Sequence, residues 1–182
     1  MIYLFLANGF EEVEALAPLD LLRRAGLSVT TVGIGGETVV GAHGIAVQAD
    51  LPDLMFRDSH PEMVILPGGM PGALHLDESR TVDTALRAAK ANGAYLAAIC
   101  AAPMVLGKRG YLEGKRATCY PGFEEHLHGA TVLSERVVTD GRVITAAGMG
   151  VAVEFGLALV TSLCGKEKAE ELRRAILADQ PQ

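Results

Sequence analysis

The sequence predicts an α/β protein in which a doubly wound, mostly parallel sheet is sandwiched between helices. Two observations support this fold class: strand-like runs alternate with helix-like stretches along the 182 residues, and the central strand-like runs are apolar throughout. Strands buried on both faces of a parallel sheet have this uninterrupted apolar character. We find no linker, repeat or low-complexity segment, so we expect a single domain over residues 1–182.

The first half of the chain is predicted to hold a helix, a hairpin-like excursion and three core strands. In order, these are a strand in 1–7, a helix in 11–25 ended by Gly26, a strand in 27–34, the excursion in 35–50 and a strand in 62–69. Pro18 lies within the helix, where its ring clashes with the carbonyl of residue 14. We therefore expect the helix to kink or restart there.

The second half is predicted to continue the alternation and to end in two helices. In order, these are a helix in 78–93, a strand in 94–100, a short helix in 101–110, a strand in 115–122, a hairpin in 136–146 and helices in 149–165 and 167–178. Asp140-Gly141 marks the turn of the hairpin. This order favours a flavodoxin-like sandwich, whose functional sites lie at the carboxyl ends of its strands.

Composition excludes several classes of protein. The net charge is −6 and no basic run is longer than two arginines, so a stable nucleic-acid partner is not expected. The apolar N-terminal run is too short to span a membrane and no basic segment precedes it, so we expect a cytoplasmic protein. Three scattered cysteines without CxxC spacing indicate reduced thiols and neither a disulfide framework nor a zinc site.

Cys100 stands where a strand must turn sharply into a helix, in "AAICAAP". This position resembles a nucleophile elbow, which holds a strained residue clear of the sheet. Amides at a helix N-terminus favour the thiolate, so we expect a pKa below the free value of about 8.5. The alternative is a buried, unreactive small hydrophobe. That alternative is the stronger one for Cys119 and Cys164.

Glu14 is the carboxyl group placed best to partner this thiol. On a helical wheel it falls within the apolar arc, whereas Glu12 lies just beyond the edge of that arc and Glu11 is expected to be solvated. Burial would raise the pKa of Glu14, and a protonated carboxyl can donate a hydrogen bond to a thiolate. Alternatively, Glu14 is one of the acids that the helix dipole favours in a first turn. Periodicity alone leaves both interpretations open.

Gly68 and Gly69 follow a core strand in "LPGGMPG" and could present a bare amide as half of an oxyanion hole. The stretch lacks the spacing of a phosphate-binding loop, so nucleotide binding is not expected. None of the five histidines stands immediately after Cys100, and no Cys–His dyad is visible. His126 and His128 are expected at the surface.

Taken together, these residues resemble the ThiJ/PfpI superfamily and, within it, the DJ-1 branch. The resemblance rests on "GFEEVEALAPLDLLRRAG", "VILPGGMPGA", "AAICAAPMVL", "ATCYPGFE" and "GMGVAVEFGLALV", in that order. It implies a flavodoxin-like homodimer with Cys100 as the reactive thiol, Glu14 as its partner and the Gly69 amide facing the thiol. The family is associated with methylglyoxal, glycated proteins, oxidative stress and chaperone-like activity.

The chain departs from the patterns of this superfamily at three positions. Tyr120 stands where some members have a histidine before the proline of the "CYP" segment. Ala101 replaces the histidine that follows the cysteine in protease-like branches, so peptidase activity is not expected. Ala147 stands where an arginine precedes the glycine-containing loop in the best-known member, which weakens a possible anion pocket.

Two functions of different classes use the same residues. In an enzyme, Cys100 would attack a 2-oxoaldehyde or a glycated thiol or amine, Glu14 would carry the proton, and the Gly69 and Ala101 amides would stabilise the oxyanion. No metal and no organic cofactor is expected. In a redox sensor or redox-regulated chaperone, Cys100 would instead be oxidised, before Cys119 or Cys164. An inert thiol in a flavodoxin-like domain is the third possibility.

Overall fold

The computed structural model describes residues 1–178, which form a central seven-stranded sheet covered by helices on both faces. The strands are β1 (Ile2–Leu6), β2 (Val29–Gly33), β3 (Thr38–Val40), β4 (Ala46–Gln48), β5 (Leu51–Pro52), β6 (Met63–Leu66), β7 (Tyr95–Ile99), β8 (Arg116–Ala117), β9 (Thr131–Val132), β10 (Val137–Asp140) and β11 (Val143–Ala146). The α-helices are α1 (Glu12–Arg24), α2 (Gly72–Glu78), α3 (Arg80–Ala91), α4 (Pro103–Gly107), α5 (Ala152–Cys164) and α6 (Lys166–Ala175).

The central sheet has the strand order β10-β11-β7-β6-β1-β2-β5 and is parallel except for its edge strand β10. The predicted α/β fold with a mostly parallel, doubly wound sheet is therefore confirmed. From β1 the chain proceeds outward to β2 on one side and later to β6 and β7 on the other, so the order reverses between β1 and β6. Such a switch point opens a crevice at the carboxyl ends of the strands.

Apolar side chains on the two faces of the sheet form separate cores. One core packs under α1 and α5 and includes Phe10 and Phe155, and the other packs under α2, α3 and α4 and includes Phe5. Because both faces are covered, β6 is buried at every position, as its uninterrupted apolar sequence predicts.

Helix α1 continues without a break through Pro18, contrary to the expected restart. Pro18 is buried against α5, where a Cβ added to Gly156 would lie 3.0 Å from the Pro18 Cα atom. This close packing of the two helices offsets the single backbone hydrogen bond that proline removes.

Three local features differ from the sequence-based expectations. Residues 72–78 form helix α2. This helix was not predicted, because the "GGMPG" stretch at its start is typical of a turn. The strand expected in 115–122 is reduced to β8, because its chain turns at 120–122. The turn of the β10–β11 hairpin is formed by Gly141 and Arg142, since Asp140 still pairs with Val143.

The excursion in residues 35–50 forms the predicted hairpin, in which β3 and β4 pair antiparallel outside the main sheet. Within residues 1–178, no helix combines the length and the apolar character needed to cross a membrane.

Candidate active site

Cys100 lies on a tight turn directly after β7, with its backbone in the left-handed region at φ +64°. Its N–H donates to the Ala146 carbonyl and its own carbonyl accepts from the Tyr120 N–H, both at 2.8 Å. These bonds hold the strained turn from two sides, as an elbow requires. Helix α4 begins only at Pro103, so the turn includes Ala101 and Ala102.

Glu14 reaches this turn from the first turn of α1 and is 1% exposed. Its Oε2 atom accepts a hydrogen bond from the Gly68 N–H at 2.9 Å, and the carboxyl group is hydrogen-bonded to the Cys100 thiol. Gly68 makes this approach possible, because an added Cβ there would lie 2.6 Å from both the Cys100 Cβ and the Glu14 Oε2. The structure thus brings together the two side chains that the sequence analysis paired.

Two backbone amides also face the thiol. The N–H groups of Gly69 and Ala101 both hydrogen-bond to Cys100. Gly69 has φ +87°, and its missing Cβ would lie 2.3 Å from the Glu11 nitrogen, so only glycine fits without displacing the backbone. The structure therefore places together the residues predicted to group around the thiol, which are Cys100, Glu14, Gly69 and Ala101.

Burial raises the pKa of Glu14 to about 7. The hydrogen bonds from Cys100 and Gly68 favour the ionised form but do not cancel the loss of solvation, and the nearby charge of Glu11 raises the pKa further. A carboxyl group that titrates near neutrality suits proton transfer in either direction.

Burial also raises the pKa of the Cys100 thiol, to about 12, with the charge and the hydrogen bond of Glu14 adding to the effect. The Ala101 and Gly69 amides lower it by less. This direction is opposite to the predicted lowering of the thiol pKa. The thiol is mostly buried beside Glu14, and this packing cannot be predicted from the local sequence. Both shifts favour a protonated thiol beside a carboxyl group that titrates near neutrality.

A model of the DJ-1/PfpI family matches residues 1–162. The chain belongs to the DJ-1/PfpI family. It is 39% identical to Protein dj-1beta of Drosophila melanogaster over 175 residues, covering 94% of each chain. It is 33% identical over 168 residues to a protein of Caenorhabditis elegans named Glutathione-independent glyoxalase DJR-1.2, covering 91% of this chain and 89% of the relative.

Two further comparisons concern a solved structure and a relative that is longer than this chain. The structure of Toxoplasma gondii DJ-1 in an oxidized form has a TM-score of 0.93 and 33% sequence identity, covering 97% of both chains. Protein DJ-1 homolog A of Arabidopsis thaliana is 40% identical over 178 residues, and the match covers 94% of this chain but 45% of that protein. The chain therefore spans less than half of this relative.

The other two cysteines lie in unlike surroundings. Cys119 is buried as expected, and burial, followed by the charge of Glu124, raises its pKa to about 11. Cys164 is exposed, which corrects the expectation that it is a buried small hydrophobe. It is the last residue of α5, where the apolar face no longer meets the core.

Two polar residues next to the site were not found from the sequence. Glu12 is buried at 4% exposure and bonds to His43 of the β3–β4 hairpin, although the helical wheel placed Glu12 outside the apolar arc. Within residues 1–178, Glu11, Glu12 and His43 are the acidic and histidine side chains whose ligand atoms have metal-like spacing, within 4.8 Å of one another. The His43 Nδ1 atom lies 2.9 Å from a Glu12 carboxylate oxygen and 3.5 Å from a Glu11 carboxylate oxygen.

Proposed function

We propose that this protein is a cysteine-dependent enzyme that converts 2-oxoaldehydes to 2-hydroxy acids and acts on the corresponding adducts of thiols or amines. The observation that carries the proposal is the buried hydrogen bond between Glu14 and the Cys100 thiol, with two amides aimed at the same sulfur. The similarity to a relative named as a glutathione-independent glyoxalase supports this substrate class.

In the first step, the Cys100 sulfur attacks the aldehyde carbon and a C–S bond forms. The thiol proton passes to the Glu14 carboxylate as the bond forms, so a free thiolate need not accumulate. The Gly69 and Ala101 amides donate to the oxygen on which negative charge develops. Protonation of this oxygen by Glu14 completes a hemithioacetal and regenerates the carboxylate.

In the second step, Glu14 moves the hydrogen of the former aldehyde carbon, as a proton, to the neighbouring carbonyl carbon through an enediol. The proton of the hemithioacetal hydroxyl passes to the neighbouring carbonyl oxygen, which becomes the 2-hydroxyl group. The first carbon is thereby oxidised and the second reduced, which gives a 2-hydroxyacyl thioester without an external oxidant. Water then cleaves the thioester, releasing the hydroxy acid and restoring the thiol. One water is consumed for each 2-oxoaldehyde.

Steady-state turnover of methylglyoxal by the purified protein tests the proposal, with lactate measured as the product. We expect kcat/KM to rise with pH through about 7, because the attack requires Glu14 in its ionised form. Cys100→Ser should abolish turnover. A wild-type protein that produces no lactate, or a Cys100→Ser variant that still does, would contradict the proposal.

A redox sensor or redox-regulated chaperone is the second candidate. Cys100 is partly exposed to solvent, and the similar Toxoplasma gondii protein has been described in an oxidized form. In this role, oxygen would add to Cys100 and the Gly69 and Ala101 amides would stabilise the anionic oxide. Peptide mass spectrometry at low peroxide distinguishes this role, which requires Cys100 to be modified ahead of the exposed Cys164.

We also propose that the chain forms a homodimer. Three apolar side chains, Val13, Met149 and Val153, are 41–53% exposed and line one surface hollow beside α1 and α5. A second copy of the chain would remove this surface from water. Light scattering should give about twice the chain mass of 19.1 kDa. A mass near that of one chain would contradict the dimer.

A further inference from the structure

The segment of residues 7–11, which we call the site loop, connects β1 to the helix that carries Glu14. One side of the site loop packs against the glycine turn of residues 68–72. The Glu11 N–H donates to the Gly68 carbonyl at 2.9 Å and the Gly72 N–H donates to the Gly9 carbonyl at 3.2 Å. Since the glycine turn also supplies the amides that bond to Glu14 and Cys100, any shift of the site loop changes the geometry of the active site.

The other side of the site loop bonds to the hairpin arm, defined as residues 38–48. The Gly9 N–H donates to the Val40 carbonyl, the Ala42 N–H to the Phe10 carbonyl and the Val40 N–H to the Asn8 Oδ1 atom, all at 2.8 Å. The arm lies outside the main sheet, and a two-stranded hairpin is only marginally stable by itself. Val39 anchors the arm in the core, and these hydrogen bonds fix its position relative to the site loop.

A contact between Glu12 and His43 joins the tip of the arm to α1. Glu12 Oε1 accepts from the His43 N–H at 2.8 Å, and Glu12 Oε2 lies 2.9 Å from the His43 Nδ1 atom. Gly41 packs directly against the Glu12 carboxyl group, and an added Cβ at Gly41 would collide with the Glu12 side chain. Gly41 does not have a positive φ, so this collision is what alanine would introduce there.

We propose that Glu12 and His43 are positioning residues: by fastening the hairpin arm to the first turn of α1, they hold Glu14 at bonding distance from Cys100. The inference rests on the proposed function, in which this distance governs proton transfer. It assigns a role to a buried carboxyl that takes no part in the chemical steps. The energetic coupling runs from His43 through Glu12 and the site loop to Glu14.

Protonation of His43 strengthens this contact. The carboxylates that face His43 are those of Glu12, at 2.9 Å, and Glu11, at 3.5 Å. The hydrogen bond to Glu12 and the charges of both acids raise the pKa of His43. The additional attraction is thus complete below the ordinary pKa of about 6.5 and is lost as pH rises through the higher value in the folded protein.

The experiment compares Gly41→Ala, His43→Ala and His43→Arg with the wild type. Ile45→Ala is the control, because Ile45 lies on the same arm, its side chain is 54% exposed and the backbone N–H that faces Glu12 is retained. Two properties are measured between about pH 5 and 9: kcat/KM for methylglyoxal, and the rate at which iodoacetamide alkylates Cys100, followed by peptide mass spectrometry. Circular dichroism melting defines a temperature at which every variant is folded.

We expect Gly41→Ala and His43→Ala to lower kcat/KM by about tenfold or more and to shift the pH profile of Cys100 alkylation, while Ile45→Ala changes neither. His43→Arg retains a cation that can bond to Glu12, so it should keep wild-type turnover and lose the part of the pH response that depends on His43. Folded Gly41→Ala and His43→Ala variants with wild-type alkylation profiles would overturn the proposal.

An equal loss in His43→Arg and His43→Ala would also overturn it, because a retained cation would then not hold the arm. The alkylation profile needs no substrate. If the wild type does not convert methylglyoxal, the proposed function fails, while the positioning role is still decided by the reactivity of Cys100.

Discussion

Glu12 and Glu14 lie two residues apart on α1, both are buried, and yet their pKa values move in opposite directions. Burial raises the pKa of each, but Glu12 also accepts hydrogen bonds from the His43 side chain and from several backbone amides, which together lower its pKa to about 2. Glu14 has fewer such donors and a repelling neighbour in Glu11, so its pKa is about 7. The hydrogen-bond donors around a buried carboxyl group therefore decide its pKa. With many donors the group stays ionised and stabilises the structure, and with few it can exchange protons near neutral pH.

The largest contrast should appear when each carboxyl becomes an amide. We expect Glu14→Gln to lower methylglyoxal turnover by about 100-fold or more, since an amide cannot carry the proton. Glu12→Gln should cost about tenfold, through misplacement alone. Steady-state kinetics on both variants, at a temperature where both are folded, measures the difference. Equal losses would show that the two carboxyls do not have separate roles.

The glycines that pack against these two carboxyl groups, Gly68 beside Glu14 and Gly41 beside Glu12, allow a second comparison. Gly68→Ala would insert a methyl group between Glu14 and Cys100, and we expect turnover to fall by about 100-fold. Gly41→Ala collides directly with Glu12 and reaches Glu14 only through it, so it should have the smaller effect. The measured quantities are kcat and the thermal midpoint, again with Ile45→Ala as the control. A Gly68→Ala variant with wild-type kcat would show that the bond between Glu14 and Cys100 is not needed.

Stability should respond to pH with opposite signs at the two positions. Between pH 4.5 and about 7 the folded protein keeps a proton on Glu14 that the unfolded chain has released, so this group makes stability fall by about 3 kcal/mol as pH rises. Between about pH 2 and 4.5 the unfolded chain holds a proton on Glu12 that the folded protein lacks, so stability rises with pH there.

Urea unfolding at several pH values measures both slopes. Glu14→Gln should remove the decrease above pH 4.5, and Glu12→Gln should flatten the increase below it. A Glu14→Gln variant with the same slope as the wild type above pH 4.5 would mean that another group causes it.

The smallest effect is expected at Cys119, a buried thiol that bonds to no carboxyl group within residues 1–178. Burial and the charge of Glu124 raise its pKa much as burial and Glu14 raise that of Cys100. If the bonded carboxyl distinguishes the two thiols, Cys119→Ser should change kcat/KM by no more than about twofold. The same steady-state assay measures this, and a loss comparable to that of Cys100→Ser would put the reactive thiol in doubt.

Local patterns in the sequence were sufficient for the core strands, the hairpin arm and the α-helices other than α2. The end of a buried strand singled out Cys100, whereas periodicity left the role of Glu14 open and the family resemblance supplied its pairing with the thiol. Burial of Glu12 could not be predicted, because the atoms that cover it belong to the arm about 30 residues away. The raised pKa of Cys100 also depends on packing between residues far apart in the sequence. The exposure of Cys164 depends on where α5 ends relative to the core.

The left-handed backbone conformation at Cys100 affects which substitutions at this position would stabilise the protein. A non-glycine residue in that region costs on the order of 1 kcal/mol or more, a strain that glycine would not incur. Selection for stability alone would thus favour glycine over cysteine at this turn. If the thiol carries the proposed chemistry, the protein gives up part of its stability to hold it there.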